Sequence, residues 1–216
     1  MPFGFGRKKT TPEGAALEGD AAAADARLTR TVRFDGFTED WRLDGNLELT
    51  GRLLDRLNQR EALLVTDVRW APPDGGADLE PAPGIGSMDP YDLIVVAAGP
   101  DTVETRTDDE RVAHRVHKVS FDVALEAPPY RVIGTVGLRP GSEPDTLMER
   151  GTHMFAAVTD PVVLYGGVAL DLHGVDTVLV NRFYLRGIAQ VDKATGEPHQ
   201  RLPGQSLGGT NWRERS

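Results

Sequence analysis

Five short segments of this chain recur later in it, in the same order, and this repeat limits the fold more than composition does. Val32-Arg33-Phe34-Asp35 returns as Val119-Ser120-Phe121-Asp122. The stretch Trp41–Leu49 returns as Tyr130–Leu138, with Gly45 answered by Gly134. Asp55-Arg56-Leu57 is matched by Asp145-Thr146-Leu147, Val65-Thr66-Asp67 by Val158-Thr159-Asp160, and Asp92–Val96 by Asp176–Val180. Matches in a fixed order predict a duplicated unit. Units of roughly 75–85 residues bury only about 60% of their unfolded surface. The two are therefore expected to pack against each other or to share a sheet.

Periodicity sets the content of each unit. Thr31–Phe37 and Trp41–Leu49 alternate apolar and polar residues and predict strands. A glycine inside the second of these, repeated at Gly134, predicts a bend or a close backbone approach. Leu53, Leu54 and Leu57 fall at helical spacing within 51–61, and Pro144 opens a helical counterpart in 143–150. Ala62–Trp70 and Met154–Tyr165 predict strands, the latter with an edge or bulge at Pro161. Asp92–Ala98 predicts a strand buried on both sides, and 175–188 two strands around Asn181-Arg182. The expected fold is mainly β: tandem small barrels or half-barrels, each with one short helix, with a shared sandwich core as one arrangement.

The flanking segments divide the chain further. Residues 1–30 predict a disordered tail, 31–100 the first β unit and 101–113 a linker. Residues 114–190 predict the second unit and 191–216 a second disordered tail. Within the first unit, 71–91 is rich in proline and glycine and predicts a long acidic loop. Charge is concentrated there: residues 71–110 hold ten acids and one base, a balance of −9 that equals the net charge of the whole chain. Such a body repels phosphate backbones, so nucleic acid is a disfavoured partner. No apolar run reaches the ~18 residues that cross a bilayer. No leader-like segment opens the chain, so a cytoplasmic location is expected.

Chemical motifs are sparse. With no cysteine, disulfides and thiolate chemistry are excluded. His114 and His117 fall on opposite faces of a predicted strand, and His153, His173 and His199 are scattered. No metal site and no cofactor are expected. Gly84-Ile85-Gly86 lacks the third glycine and the preceding strand of a dinucleotide cradle. Ser87 lacks the closing glycine of a nucleophile elbow. Asp67 and Asp160 each follow Val-Thr and could pair as two carboxylates across an interface, the basis of a hydrolase reading; as turn residues they would instead accept backbone hydrogen bonds. At the ends, Phe3, Phe5, Arg7, Lys8 and Lys9 combine aromatic anchors with positive charge, and Trp212 stands in a polar tail. These six residues are the expected partner contacts.

Gly51-Arg52-Leu53-Leu54-Asp55-Arg56-Leu57-Asn58, followed by Leu64-Val65-Thr66-Asp67-Val68, resembles an uncharacterised bacterial domain over residues 31–99. That resemblance implies no activity. Gly45, Asp55, Asn58, Asp67 and Arg186-Gly187 are similar in order to the Sm-like small barrels. This second resemblance implies nucleic-acid binding, which would use Arg52, Arg56, Arg182 and Arg186. The leading expectation is a non-enzymatic scaffold that binds an unknown protein partner, with self-association through sheet edges as a further expectation. Gly45, Gly134, Asp67 and Asp160 are expected to be structural.

Overall fold

The structure is a computed structural model, and it describes residues 29–102, 118–151, 153–192 and 194–198. Phe3, Phe5, Arg7, Lys8, Lys9, His114, His117, His199 and Trp212 lie outside the described residues, as do most of the two tails and the linker beyond Thr102.

The fold is mainly β. The first half runs β1 (Arg30–Phe37), β2 (Arg42–Leu49), α1 (Leu53–Asn58), β3 (Leu63–Ala71), β4 (Glu80–Pro81), β5 (Ser87–Met88) and β6 (Val95–Ala98). The second runs β7 (Val119–Ala127), β8 (Tyr130–Leu138), β9 (Phe155–Tyr165), β10 (Val168–Ala169), β11 (Thr177–Asn181) and β12 (Gly187–Gln190). Where small barrels or half-barrels were expected, the pairings trace one open antiparallel sheet of 12 strands. Its order is β12-β7-β8-β9-β11-β6-β1-β2-β3-β4, with β10 on β9 and β5 on β3. The halves share this sheet through a ladder between β6 and β11.

Two apolar cores lie on opposite faces of that seam. Val32, Phe34, Leu43, Leu47, Leu53 and Leu57 build the first; Phe121, Val123, Leu125, Val132 and Val136 belong to the second. In β6, Val96 and Ala98 face the first core and Val95 the second; in β11, Leu179 faces the first and Val178 and Val180 the second. This is why Asp92–Ala98 reads as nearly all apolar, although the strand itself is only Val95–Ala98 and Asp92 ends a 3-10 turn: a strand buried on both faces has no polar side to alternate with.

Several expectations are corrected in detail. The helix is six residues long, and its counterpart is a 3-10 turn, Pro144–Met148. The 71–91 segment is not wholly loop, because β4 and β5 cap β3 and Pro90–Asp92 forms a 3-10 turn. The segment expected as a tail from 191 is structured at its start: Val191 is fully buried, bridges to Pro198, and its N–H donates to the Asp122 carbonyl. Pro161 falls inside β9, which is paired on both sides, and the ladder accommodates it with a bulge.

Two of the segment matches shift. Phe34 lies opposite Gly45 and Val123 opposite Gly134, so 32–35 correspond to 121–124 rather than 119–122. Val95–Ala97 pair with β1 as Gly187–Ala189 pair with β7, so β6 corresponds to β12 and not to β11. The chain positions leading into these two strands agree. Asp89 and Asn181 each cap a 3-10 turn by accepting from the N–H two residues on, at Tyr91 and Phe183, and Leu93 and Leu185 follow, both buried. A sequence match between apolar strands cannot separate these alternatives; hydrogen-bond partners do.

Candidate functional site

The face of β1–β2–β3 turned away from the first core carries a lattice of charge. Asp35 and Asp44 are direct cross-strand neighbours, an arrangement that destabilises a sheet unless each charge is countered. Arg42 donates to both oxygens of Asp35 from Nε at 3.0 Å and Nη2 at 2.7 Å, and its guanidinium lies over the Phe37 ring. The Asp35 hydrogen bonds, more than offsetting the cost of burial, hold Arg42 above its ordinary pKa. Asp44 is buried between two arginines, Arg33 (2.7 Å) and Arg69.

This lattice forms one wall of a groove of about 660 Å³ between the halves. Arg33, Asp35, Phe37 and Arg42 line one side; Asp74, Asp101, Asp171 and His173 come from the loops around it. Because Arg33 and Arg42 are committed to Asp44 and Asp35, the groove presents fixed hydrogen-bonding groups of both signs. Among the described residues, no three His, Asp or Glu side chains converge in a way that would hold a metal ion.

On the other face of β2–β3, where Leu43 enters the first core, two tryptophans meet at the surface. Trp41 and Trp70 stack with ring centroids 4.7 Å apart and planes 23° apart, yet remain 40% and 37% exposed. Thr38 fixes the turn before β2, its hydroxyl accepting from the Trp41 N–H at 3.0 Å, and Trp70 lies opposite Leu43 near the end of β3. Large aromatics held rigid but half uncovered are the residue type that protein interfaces concentrate. The sequence reading used Trp41 only as a strand residue. The available signal was a tryptophan on each of two strands predicted as neighbours.

The residues singled out earlier fall as follows. Gly45 and Gly134 face bulges in the next strand, with a Cβ placed 2.9 Å from the Thr66 carbonyl and 2.8 Å from the Thr159 carbonyl, respectively. Close backbone approach, not a special φ, is what requires glycine. Asp67 and Asp160 occupy those bulges in left-handed conformation, φ 53° and 47°, which aspartate tolerates better than most residues. Asp67 accepts from Asn46 Nδ2 at 3.0 Å, and the Asp160 N–H donates to Asp176. Four strands separate β3 from β9, and the cleft that Asp67 lines does not include Asp160. The structure does not bring the two carboxylates together.

The four arginines of the Sm-like resemblance are engaged within the chain. Arg52 pairs with Asp55, and Arg56 bonds Gln59 and the Ala62 carbonyl. Arg182 donates to the carbonyls of Thr146, Leu147, Glu149 and His153, tying the Pro144–Met148 turn to β11. Burial holds its pKa below the ordinary value, with Glu149 opposing. Arg186 is exposed and donates to the Phe183 carbonyl.

One titration follows from the join between the halves. Tyr130 is buried, and its hydroxyl donates to the Thr38 carbonyl at 2.7 Å. Burial first, then the charges of Tyr165 and Asp40, push the phenol pKa upward. The folded state thus keeps its proton where the unfolded chain has lost it, and stability falls as pH rises above about 10. Tyr130→Phe is expected to lose about 1 kcal/mol at pH 8 through the unpaired carbonyl and to show a shallower decline above pH 10. Urea denaturation across pH 8–11 measures both; parallel declines in the two proteins would refute the assignment.

No known protein family matches the chain, and neither a curated protein nor a solved structure is detectably similar to it. No helix among the described residues is long and apolar enough to cross a membrane.

Proposed function

We propose that this is a non-enzymatic, cytoplasmic protein-interaction protein, a rigid β body that presents a contact surface to a protein partner. The single observation that carries the reading is the Trp41–Trp70 stack, formed between the turn before β2 and the end of β3 and left more than a third exposed. Buried on contact, such rings contribute far more than the charged rim around them, because they lose little conformational freedom. The segments at 1–30 and 191–216, with Phe3, Phe5, Arg7, Lys8, Lys9 and Trp212, would add contacts around this centre.

The same reading takes the two halves as copies of one unit. What supports it is agreement at independent points: the bulges with left-handed Asp67 and Asp160, the glycines opposite them, and the capped turns at Asp89 and Asn181.

The test is capture of partners from the native host's lysate by the full-length chain and by its Trp41→Ser/Trp70→Ser variant. A thermal melt of the variant, set against wild type, establishes that it is folded before the capture is compared. A protein retained by the wild type and lost with the variant supports the reading. Equal retention by both refutes the tryptophan surface, and retained nucleic acid that washes off with salt would replace it with a phosphate-binding role.

A further inference from the structure

We infer that the Trp41–Trp70 pair receives an arginine side chain of the protein partner, held over the indoles by charge and stacking. This rests on the reading proposed above and names the chemistry of that contact.

Strand pairing decides what surrounds the two rings. Trp70 lies opposite Leu43 in β2 and opposite Glu80 in β4. Cross-strand partners share a face of the sheet, and alternate residues along a strand do the same. Trp70, Glu80 and Trp41, two residues before Leu43, therefore all stand on the face that carries the first core. Arg42 and Arg69 adjoin the tryptophans in sequence, but they point to the opposite face and are bound there to Asp35 and Asp44.

The pair thus lacks a partner that other rings of this chain possess. Arg42 stands over Phe37 at 5.5 Å and Arg60 over Phe183 at 5.4 Å. Among the described residues no cation stands over either tryptophan, although indole holds a cation better than a phenyl ring does. The charge beside the pair is of one sign. Glu39 and Asp40, in the turn that leads to Trp41, and Glu80, beside Trp70, are all exposed. None of the three has an ion-pair partner among the described residues.

Exposed indoles ringed by uncountered carboxylates suit a cation carried on a flat group. Arginine fits this better than lysine. Its guanidinium is planar, stacks on aromatic faces and is more weakly hydrated than an ammonium, and its N–H fork donates to carboxylates at the rim. The same carboxylates repel phosphate backbones, so the surface selects a basic protein segment over nucleic acid.

The chain has three tryptophans, so in full-length protein carrying Trp212→Phe all indole emission comes from the pair. Three short peptides serve as probes: acetyl-Gly-Arg-Gly-Arg-Gly-amide, its lysine counterpart, and its citrulline counterpart, which keeps the planar shape without the charge. The arginine peptide is expected to change the emission saturably, the lysine peptide to bind several-fold more weakly, and the citrulline peptide to leave it unaltered. Glu80→Gln should weaken the arginine peptide several-fold while leaving the melting temperature unchanged, since Glu80 has no ion pair to lose among the described residues. Equal response to the arginine and citrulline peptides, or undiminished binding by a Glu39→Gln/Asp40→Gln/Glu80→Gln variant, overturns the inference. So does a response that appears only after Arg7, Lys8 and Lys9 are replaced by serine, which would make the chain's own N-terminal segment the occupant. No response to any peptide overturns it too. The wider reading then still stands or falls by the capture experiment with the Trp41→Ser/Trp70→Ser variant, so the two failures are distinct.

Discussion

Asn181→Asp is expected to destabilise the protein by about 3–5 kcal/mol at pH 8, the scale for an uncompensated buried charge. Asn181 is fully buried at the seam; its Nδ2 donates to the Leu93 carbonyl at 2.8 Å and its Oδ1 accepts the Phe183 N–H at 3.0 Å. Aspartate keeps the acceptor but sets a second oxygen against the Leu93 carbonyl, with a charge and no counter-ion. Protonation would restore a donor, so the new carboxyl is pushed above its ordinary pKa of about 3.9. The sign follows: the fold favours the protonated form, and the variant's deficit relative to wild type grows as pH rises and shrinks as it falls. Asn181→Leu should instead lose about 1–3 kcal/mol from the orphaned carbonyl and N–H, equally at every pH. Urea denaturation at pH 5 and pH 8 separates the two. A deficit for the aspartate variant that is the same at both would show that the site is wetter than the packing implies.

Gly134→Val is the second large effect. A Cβ at that position would lie 2.6 Å from Val158 Cγ1, 2.8 Å from the Thr159 carbonyl oxygen and 3.3 Å from Pro161 Cα. Two of these atoms are backbone in a bulge that already holds Asp160 at positive φ, so the neighbour cannot rotate away. Overpacking of this kind costs about 1–3 kcal/mol, or roughly 3–10 °C in melting temperature for a chain of this size. Gly137→Ala is the control: its Cβ would meet only the flexible side chain of Lys118. A Gly134→Val melting temperature no lower than that of the control would refute the close-approach argument.

The fold was legible where one face is buried and one is wet. Alternation exposed β1, β2 and β3, Pro161 announced its bulge, and the recurrence of Gly45 at Gly134 marked a tight place in the ladder. The reason for the glycines was less accessible, since a bend and a neighbouring bulge ask for the same residue. Strand identity failed where both faces are apolar. Asp92–Val96 resembles Asp176–Val180 because the seam buries both strands between two cores, not because they hold equivalent places. Barrels and an open sheet are built from the same strands, and local patterning does not say which edges join. The candidate surface was less legible still. Trp41 and Trp70 are far apart in sequence, and only the β2–β3 pairing stacks them; Asp35 and Asp44 reveal their arginines only once the strands align.

The seam carries one more consequence. In most sheets a one-residue slip is forbidden because it turns polar side chains inward. Slipping β6 against β11 would merely exchange one apolar side chain for another, since both faces are greasy. The discrimination must come from the few polar atoms present. Asn181 acts as the index mark of an otherwise uninformative interface, as a lone polar residue does in a coiled coil. With an apolar residue in its place the seam would lose the two hydrogen bonds that tell one alignment of the halves from the next.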